Sequence, residues 1–176
     1  ALEPVPGSVT LVEGDMRHFA LSRRFPLIIV PYRTFMHLLT PADQVACLAC
    51  CRRHLAKRGQ LLVSLWAAMP SAIARMLNGG AGWTPGGRFP VPGEAVELQQ
   101  HYRVTCDEYR QRIEERHRIV EIGPEGQATH EEELSLTRTW LTPREMEHLV
   151  MRCGFEVDRL FGGFNGAARL RGNRER

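Results

Sequence analysis

The pattern of hydrophobic positions in the first third of the chain predicts a parallel α/β unit. Val9–Glu13 is a short β-branched run that ends at a Gly-Asp turn, which is typical of a buried strand. Phe25–Val30 and Gln60–Trp66 are continuous apolar runs of the kind found in strands covered on both faces. Between them, Thr40–Gly59 has a Thr N-cap, an early Pro, apolar residues at helical spacing and a final Gly. Strand, helix and strand joined by short loops form a βαβ unit, whose crossover we expect to be right-handed.

The second half of the chain predicts an antiparallel meander. Its polar, partly alternating stretches are Val96–Cys106, Tyr109–Ile122 and His130–Leu141. The link Gly123–Gly126 is a turn signal, so the last two stretches predict a hairpin. Arg110–Arg118 also fits a charged helix, because it contains a Glu and an Arg four positions apart. The β-favouring residues that lead into the turn favour the strand.

Shorter segments surround the meander. Pro70–Leu77 predicts a short helix, and Asn78–Gly93, which is rich in Gly and Pro, predicts a loop. Thr142–Cys153 predicts a helix that again starts with Thr and Pro. Phe155–Phe161 alternates as a further strand, and Arg169–Arg176 is a basic polar tail.

Composition and charge narrow the function classes. The 176 residues are 43% hydrophobic and 24% charged, which fits one folded domain. A net charge of +3 is too small to indicate a nucleic-acid binder. The apolar runs are far shorter than the roughly 20 residues that span a bilayer, and no signal-peptide pattern opens the sequence. We therefore expect a cytoplasmic protein that binds neither nucleic acid nor membrane.

Five cysteines raise the question of a metal or redox site. Three of them, Cys47, Cys50 and Cys51, stand together, and the first two have the CxxC spacing. No second Cys or His pair with ligand spacing follows, and the segment has a helical apolar pattern. The sequence therefore predicts cysteines that pack as small hydrophobic residues, and no metal site.

The order of these elements resembles the C-terminal two-thirds of a class I S-adenosylmethionine-dependent methyltransferase, of the small-molecule type with an inserted antiparallel sheet. The segments that carry the likeness are Val9–Arg17, Phe25–Thr40, His54–Gly59 and Leu141–Phe155. Each motif is weak alone, and their shared order and spacing make the combination more specific.

The resemblance implies an α/β fold: an incomplete Rossmann-like methyltransferase sheet with an inserted antiparallel β-meander. Residues 1–176 are expected to form a single partial domain. Residues 1–93 and 141–176 would be its α/β core, and residues 94–140 would cover the substrate.

The resemblance also implies a cofactor site for S-adenosylmethionine at the carboxyl ends of the strands. Asp15 would accept a hydrogen bond from the adenine amino group, and Met16 would pack near the ring. The simpler interpretation is that Asp15 caps the turn before Arg17. Pro31 and Tyr32, at the end of the next strand, would line the sulfonium.

A small-molecule substrate is implied next to this site. The substrate-facing candidates are Arg33, Phe35, Trp66 and Tyr102, with Tyr109 and Arg138 as further meander positions. His37 is the candidate catalytic base, since an imidazole pKa lies near 6.5, and helix packing is its alternative role. The implied reaction is direct transfer of the cofactor's methyl group to an N, O or C nucleophile, which needs alignment and no metal.

Parts of the family pattern have no counterpart in this chain. The glycine-rich loop and the acid that holds the ribose hydroxyls are absent, and Pro26 replaces an acid usual in the family. In the family, two further strands lie between those predicted at Val9–Glu13 and Phe25–Val30. They would come from missing sequence or from another chain, or else the remaining two strands pair directly.

We therefore expect a truncated methyltransferase domain that is inactive alone and whose exposed strand edges favour a homo-oligomer. The alternative is a non-catalytic methyltransferase-like protein that binds a partner protein through those edges.

Overall fold

The computed structural model describes Gly7 and residues 9–66, 71, 73–74 and 82–164. They form a two-stranded parallel unit and a four-stranded antiparallel sheet. The elements of the parallel unit are β1 (Phe25–Val30), a 3-10 helix (Thr34–His37), α1 (Pro41–His54) and β2 (Leu55–Val63). The antiparallel sheet and the helix that follows it comprise β3 (Thr84–Pro90), β4 (Glu97–Asp107), β5 (Arg112–Ile122), β6 (Ala128–Thr139) and α2 (Pro143–Arg152).

The predicted βαβ unit is confirmed, with a different helix end. β1 and β2 pair in parallel, and α1 starts at the predicted cap, where the Thr40 hydroxyl accepts from the Asp43 N–H at 3.1 Å. The predicted C-cap at Gly59 is wrong, because α1 ends at His54 and Leu55 is already extended. His54 Nε2 accepts from the backbone N–H of Leu21 at 3.0 Å, and its other ring nitrogen lies 2.9 Å from the Cys50 carbonyl. The helix therefore ends at a residue with a tertiary contact, although the local sequence pattern predicts that the helix continues to Gly59.

Two predicted strands are wrong. Val9–Glu13 is irregular, with Val9 87% and Leu11 92% exposed. β1 has a single neighbour, β2, in the part of the chain that the structure describes, and Ile29 is 52% exposed. Without a ladder partner, a β-branched run cannot satisfy its backbone groups as a strand. Phe155–Phe161 forms no regular strand either, and contributes a single bridge residue at its end.

The predicted meander is confirmed, including the strand at Arg112–Ile122 that competed with a charged helix. The sheet order is β3-β4-β5-β6, and all three pairings are antiparallel. Gly126 takes φ 82° in the predicted turn, where the Gly123 N–H donates to the Gln127 carbonyl at 2.8 Å.

The predicted loop at Asn78–Gly93 is wrong over Thr84–Pro90, because these residues form β3 on the sheet edge. Edge strands tolerate Pro, since one row of their N–H groups needs no partner. Of the helix predicted at Pro70–Leu77, Ser71, Ile73 and Ala74 are helical. The rest of that helix and the tail Arg169–Arg176 lie outside the described residues.

The helix α2 begins with the predicted Thr-Pro start. The Thr142 hydroxyl accepts from the Glu145 N–H at 3.3 Å, and the Glu145 carboxylate accepts from the Thr142 N–H at 2.7 Å. These reciprocal bonds form a capping box. Within the described ranges, no helix is long and apolar enough to cross a bilayer.

The clustered cysteines are packed helix residues, as predicted. Cys47, Cys50 and Cys51 are buried and carry no disulfide. The Cys50 thiol donates to the Phe19 carbonyl at 3.2 Å, and burial raises its pKa. A thiol held in the protonated form is a poor nucleophile and a poor metal ligand.

Two adjacent side chains join the parallel unit to the antiparallel sheet. Phe35 packs in the cluster with Leu48 below the parallel strands, and Met36 packs with Ile113 and Trp140 on the sheet. The exposed fraction of each side chain is 1% or less. The 3-10 helix therefore fixes the loop after β1 between the two halves of the fold.

We predict that Met36→Ala lowers the free energy of unfolding by about 2–5 kcal/mol, because it leaves a cavity at this junction. Urea denaturation measures the change. The control is Met151→Ala on α2, whose side chain is 57% exposed, and its effect should be below about 1 kcal/mol. Equal losses in the two variants would contradict the junction role of Met36.

Candidate functional site

The loops that follow Val9–Glu13 and β1 line an open cleft of about 800 Å³. Asp15, Met16 and His37 all lie on it, which brings together three of the predicted site residues. The loop between β1 and α1 is a βα loop at the carboxyl end of a parallel strand, where open α/β sheets bind their ligands. The cleft is also lined by Arg112 at the start of β5, which the sequence pattern did not single out.

An ion-pair network occupies one wall of the cleft. The Asp15 carboxylate accepts from the backbone N–H of Arg17 at 2.8 Å and from its Nη2 at 2.6 Å. Arg17 Nη1 donates to Asp43 at 2.8 Å, and the Thr40 hydroxyl donates to the same carboxylate at 2.6 Å. These contacts fasten the 13–17 turn to the start of α1.

The network shifts the pKa values of its members. Hydrogen bonds from the Arg17 side chain and backbone hold the pKa of Asp15 far below its usual range. The hydroxyl of Thr40, and then Arg17, lower the pKa of Asp43. Both carboxylates are therefore ionised at neutral pH. Asp15 makes the turn-capping contact of the simpler interpretation, and its contact with adenine stays a prediction.

The backbone after β1 is strained. Tyr32 and Arg33 are consecutive non-glycine residues with φ 52° and 64°, a conformation that costs roughly 1–3 kcal/mol per residue. The Pro31 carbonyl holds it by accepting from the Thr34 N–H at 3.0 Å and from the Thr34 hydroxyl at 2.6 Å. The ring of Tyr32 is 91% exposed as a result.

A second, smaller cavity of about 140 Å³ lies between this loop and the antiparallel sheet. Its lining residues are Arg33, Met36, Trp66, Ile113, Glu115 and Arg138. It joins three predicted substrate-facing residues, Arg33, Trp66 and Arg138, although they lie far apart in the sequence. Tyr102 is partly exposed on β4, and it does not line the cavity.

The predicted substrate contact of Phe35 is corrected by its burial. Its side chain is 0% exposed in the core below the parallel strands. A side chain without accessible surface cannot touch a ligand, so Phe35 supports the loop by packing. His37, two positions later, is exposed on the cleft.

Glu115 and Ile113 are site residues that the sequence pattern did not identify. In the β5 register, Ile113 pairs with Cys106 and Arg138, and Glu115 pairs with Val104. Paired residues and alternate residues share one face, which here is the face towards Met36. The alternating pattern of β5 could have suggested this grouping, but only the register identifies the face that packs inwards.

Known proteins match this chain in sequence and in fold. No protein-family model matches. A dTDP-3-amino-3,6-dideoxy-alpha-D-glucopyranose N,N-dimethyltransferase from Streptomyces fradiae is 28% identical over 162 residues, which are 89% of this chain and 56% of that enzyme. The chain therefore spans just over half the length of this curated relative.

Two solved structures show the same architecture. Streptomyces venezuelae DesVI matches with a TM-score of 0.68 at 18% identity, over 89% of this chain and 61% of DesVI. CalS10, an amino pentose methyltransferase from Micromonospora echinaspora solved with SAM bound, matches with a TM-score of 0.67 at 22% identity, over 88% of this chain and 60% of CalS10. The resemblance seen in the sequence is thereby confirmed: the chain is similar in sequence and in fold to S-adenosylmethionine-dependent methyltransferases, and it shares the α/β architecture with an antiparallel sheet of the two solved structures.

Proposed function

We propose that this chain is the part of an S-adenosylmethionine-dependent methyltransferase that binds the adenine end of the cofactor and the methyl acceptor. One observation carries the proposal: Asp15, Met16 and His37 share a single cleft beside the loop that follows β1. Its volume of about 800 Å³ lies in the range of small-molecule sites, roughly 300–1,000 Å³. The chain would act in the cytoplasm, together with the glycine-rich part of the domain.

The described residues fit the adenine end of the cofactor. The Asp15 carboxylate already accepts from the backbone N–H, Nε and Nη2 of Arg17, so in the proposal an adenine amine replaces one of the two contacts that Nε makes. Met16 packs against the core from the cleft side, and its thioether can contact an aromatic ring. The exposed ring of Tyr32, beside Pro31, offers a π face to a sulfonium cation.

The remaining residues suit an acceptor nucleophile. When bound, the cofactor supplies an electrophilic methyl group. In the proposal His37 takes the proton that the nucleophile loses, while Arg33 and Trp66 hold the acceptor and align it. The meander, including Tyr102, covers the acceptor from residues 94–140. Because the relative from Streptomyces fradiae is by name an N,N-dimethyltransferase of an amino compound, we propose an amine nitrogen as the atom that accepts the methyl group.

A second candidate function rests on β1, whose only neighbour among the described residues is β2, so that its other edge is unpaired there. Leu27 and Ile29 are about half exposed on one face of this strand, and an unpaired edge beside exposed apolar side chains is a surface for strand addition. A non-catalytic chain would use this edge to bind a partner protein or a second copy, and would leave the cleft empty of cofactor.

The two functions are separated by calorimetric titration with S-adenosylhomocysteine. We expect a dissociation constant near the millimolar range, about −4 kcal/mol, since the glycine-rich half of the site has no counterpart in this chain. Asp15→Ala should weaken binding by about 3- to 10-fold through loss of one charged hydrogen bond.

The matched control is Asp158→Ala, an exposed carboxylate that pairs with Arg159 and does not line the cleft. It should leave the affinity unchanged. No detectable binding by the wild-type chain at millimolar ligand, with the circular dichroism of a folded protein, would exclude the cofactor function and favour the binding module.

Arg17→Met tests whether the Arg17 side chain lowers the pKa of Asp15. Removing the guanidinium should raise the pKa of Asp15 towards its unperturbed value of about 3.9. In the wild type the folded-state pKa is depressed, so Asp15 stabilises the fold above its unfolded pKa. That contribution is lost as the pH falls through the folded value.

Carboxyl ¹³C NMR titration measures both proteins. The wild-type Asp15 signal should remain that of an ionised group at about pH 3, while the variant, which keeps only the backbone hydrogen bond from residue 17, should titrate at a higher pH than the wild type. Arg24→Met is the control, because within the described region the ion pairs of Asp15 and Asp43 do not involve Arg24. Protonation of wild-type Asp15 near pH 4 would contradict the assignment.

A further inference from the structure

The small cavity between the β1 loop and the sheet is lined by more positively charged than negatively charged side chains. Arg33 and Arg138 line it with a single carboxylate, Glu115. Glu115 Oε1 accepts a short hydrogen bond from Arg138 Nη2, so one guanidinium is already neutralised. No ion pair joins Arg33 to a carboxylate within the described ranges. The cavity therefore has a surplus of one positive charge.

The backbone of Arg33 and the side chain of Arg138 are fixed before any ligand arrives. Arg33 is presented by the strained backbone after β1, which the hydrogen bonds of Thr34 to Pro31 maintain. Arg138 is largely buried on β6, and its Nε atom is shielded from solvent without a hydrogen-bond partner among the described residues. A desolvated N–H without an acceptor is unfavourable, and an acceptor brought by a ligand would relieve it.

The rest of the cavity sets the size and shape of the ligand group. Its volume is about 140 Å³, close to the roughly 150 Å³ of an engineered protein cavity that binds benzene. Met36, Ile113 and Trp66 provide apolar walls. The space suits a flat group of a few heavy atoms with a negatively charged end, and it is too small for a whole nucleotide sugar.

We propose that Arg33 and Arg138 form a subsite for a carboxylate of the acceptor substrate. The two guanidinium groups bind its oxygens as a charge-assisted pair, and Trp66 packs on the attached carbon skeleton. The identification of this ligand as the acceptor substrate rests on the proposed function. The binding chemistry of the cavity itself needs no cofactor, so the two claims are tested apart.

Titration of the whole chain with benzoate, followed through the Trp66 indole N–H signal, tests the subsite. Benzamide is the probe of the same shape without the charge, and phenyl phosphate is the probe with a larger anion. We expect benzoate to shift the Trp66 signal with a millimolar dissociation constant, and benzamide to bind at least 10-fold more weakly. Arg33→Met should weaken benzoate binding about 10-fold, and its exposed position should leave folding intact.

The control is Arg116→Met, because Arg116 lies next to Glu115 on β5, faces the opposite side of the sheet and pairs with Glu114. It should bind benzoate as the wild type does. Equal binding of benzoate and benzamide, binding of phenyl phosphate alone, or no binding of benzoate would each overturn the proposal. S-adenosylhomocysteine titration of the same sample reports the proposed function separately.

Discussion

The two halves of the structure meet at a pair of neighbouring side chains that point into different cores. Phe35 packs below the parallel strands and Met36 packs on the antiparallel sheet, so the four-residue 3-10 helix contacts both units. The residues on either side then have fixed directions. Arg33 lines the small cavity and His37 lines the open cleft. Burial at two positions therefore orients the candidate chemistry at the positions around them.

The cleft is formed by the loop that follows β1 and by the turn at residues 13–17. Ion pairs hold this turn against the start of α1. The Asp15–Arg17–Asp43 network ties the irregular segment after Glu13 to the first turn of α1. Exposed ion pairs contribute little stability individually, so their main effect here is geometric. They keep the negatively charged carboxylate of Asp15 on the cleft wall. A solvent-exposed turn without such partners would not hold it there.

Local signals in the sequence predicted local structure well. The Thr-Pro starts of both helices, the turn at Gly126 and the meander strands were confirmed, because each depends on a few neighbouring residues. Predictions that needed a distant partner failed. Val9–Glu13 has the composition of a strand but no ladder neighbour in the described chain, and α1 ends at His54, whose imidazole accepts from the backbone N–H of Leu21.

The predictions for the candidate site show the same difference between local signals and contacts with distant residues. Asp15, Met16 and His37 share the cleft as expected, although only His37 follows a strand that forms, since Val9–Glu13 is irregular. The apolar character of Phe35 could not reveal whether it faced a ligand or the core. Glu115 could not be found without the β5 register, since a shift of one residue moves every side chain to the other face.

The central claim is that this chain holds the adenine end of the cofactor and lacks the part that grips its amino-acid end. Saturation-transfer difference NMR with S-adenosylhomocysteine tests the claim most directly, because it reports which ligand protons lie against the protein. The account predicts stronger transfer to the adenine H2 and H8 protons than to the homocysteine methylene protons. Equal transfer to both ends, or stronger transfer to the homocysteine protons, would contradict it.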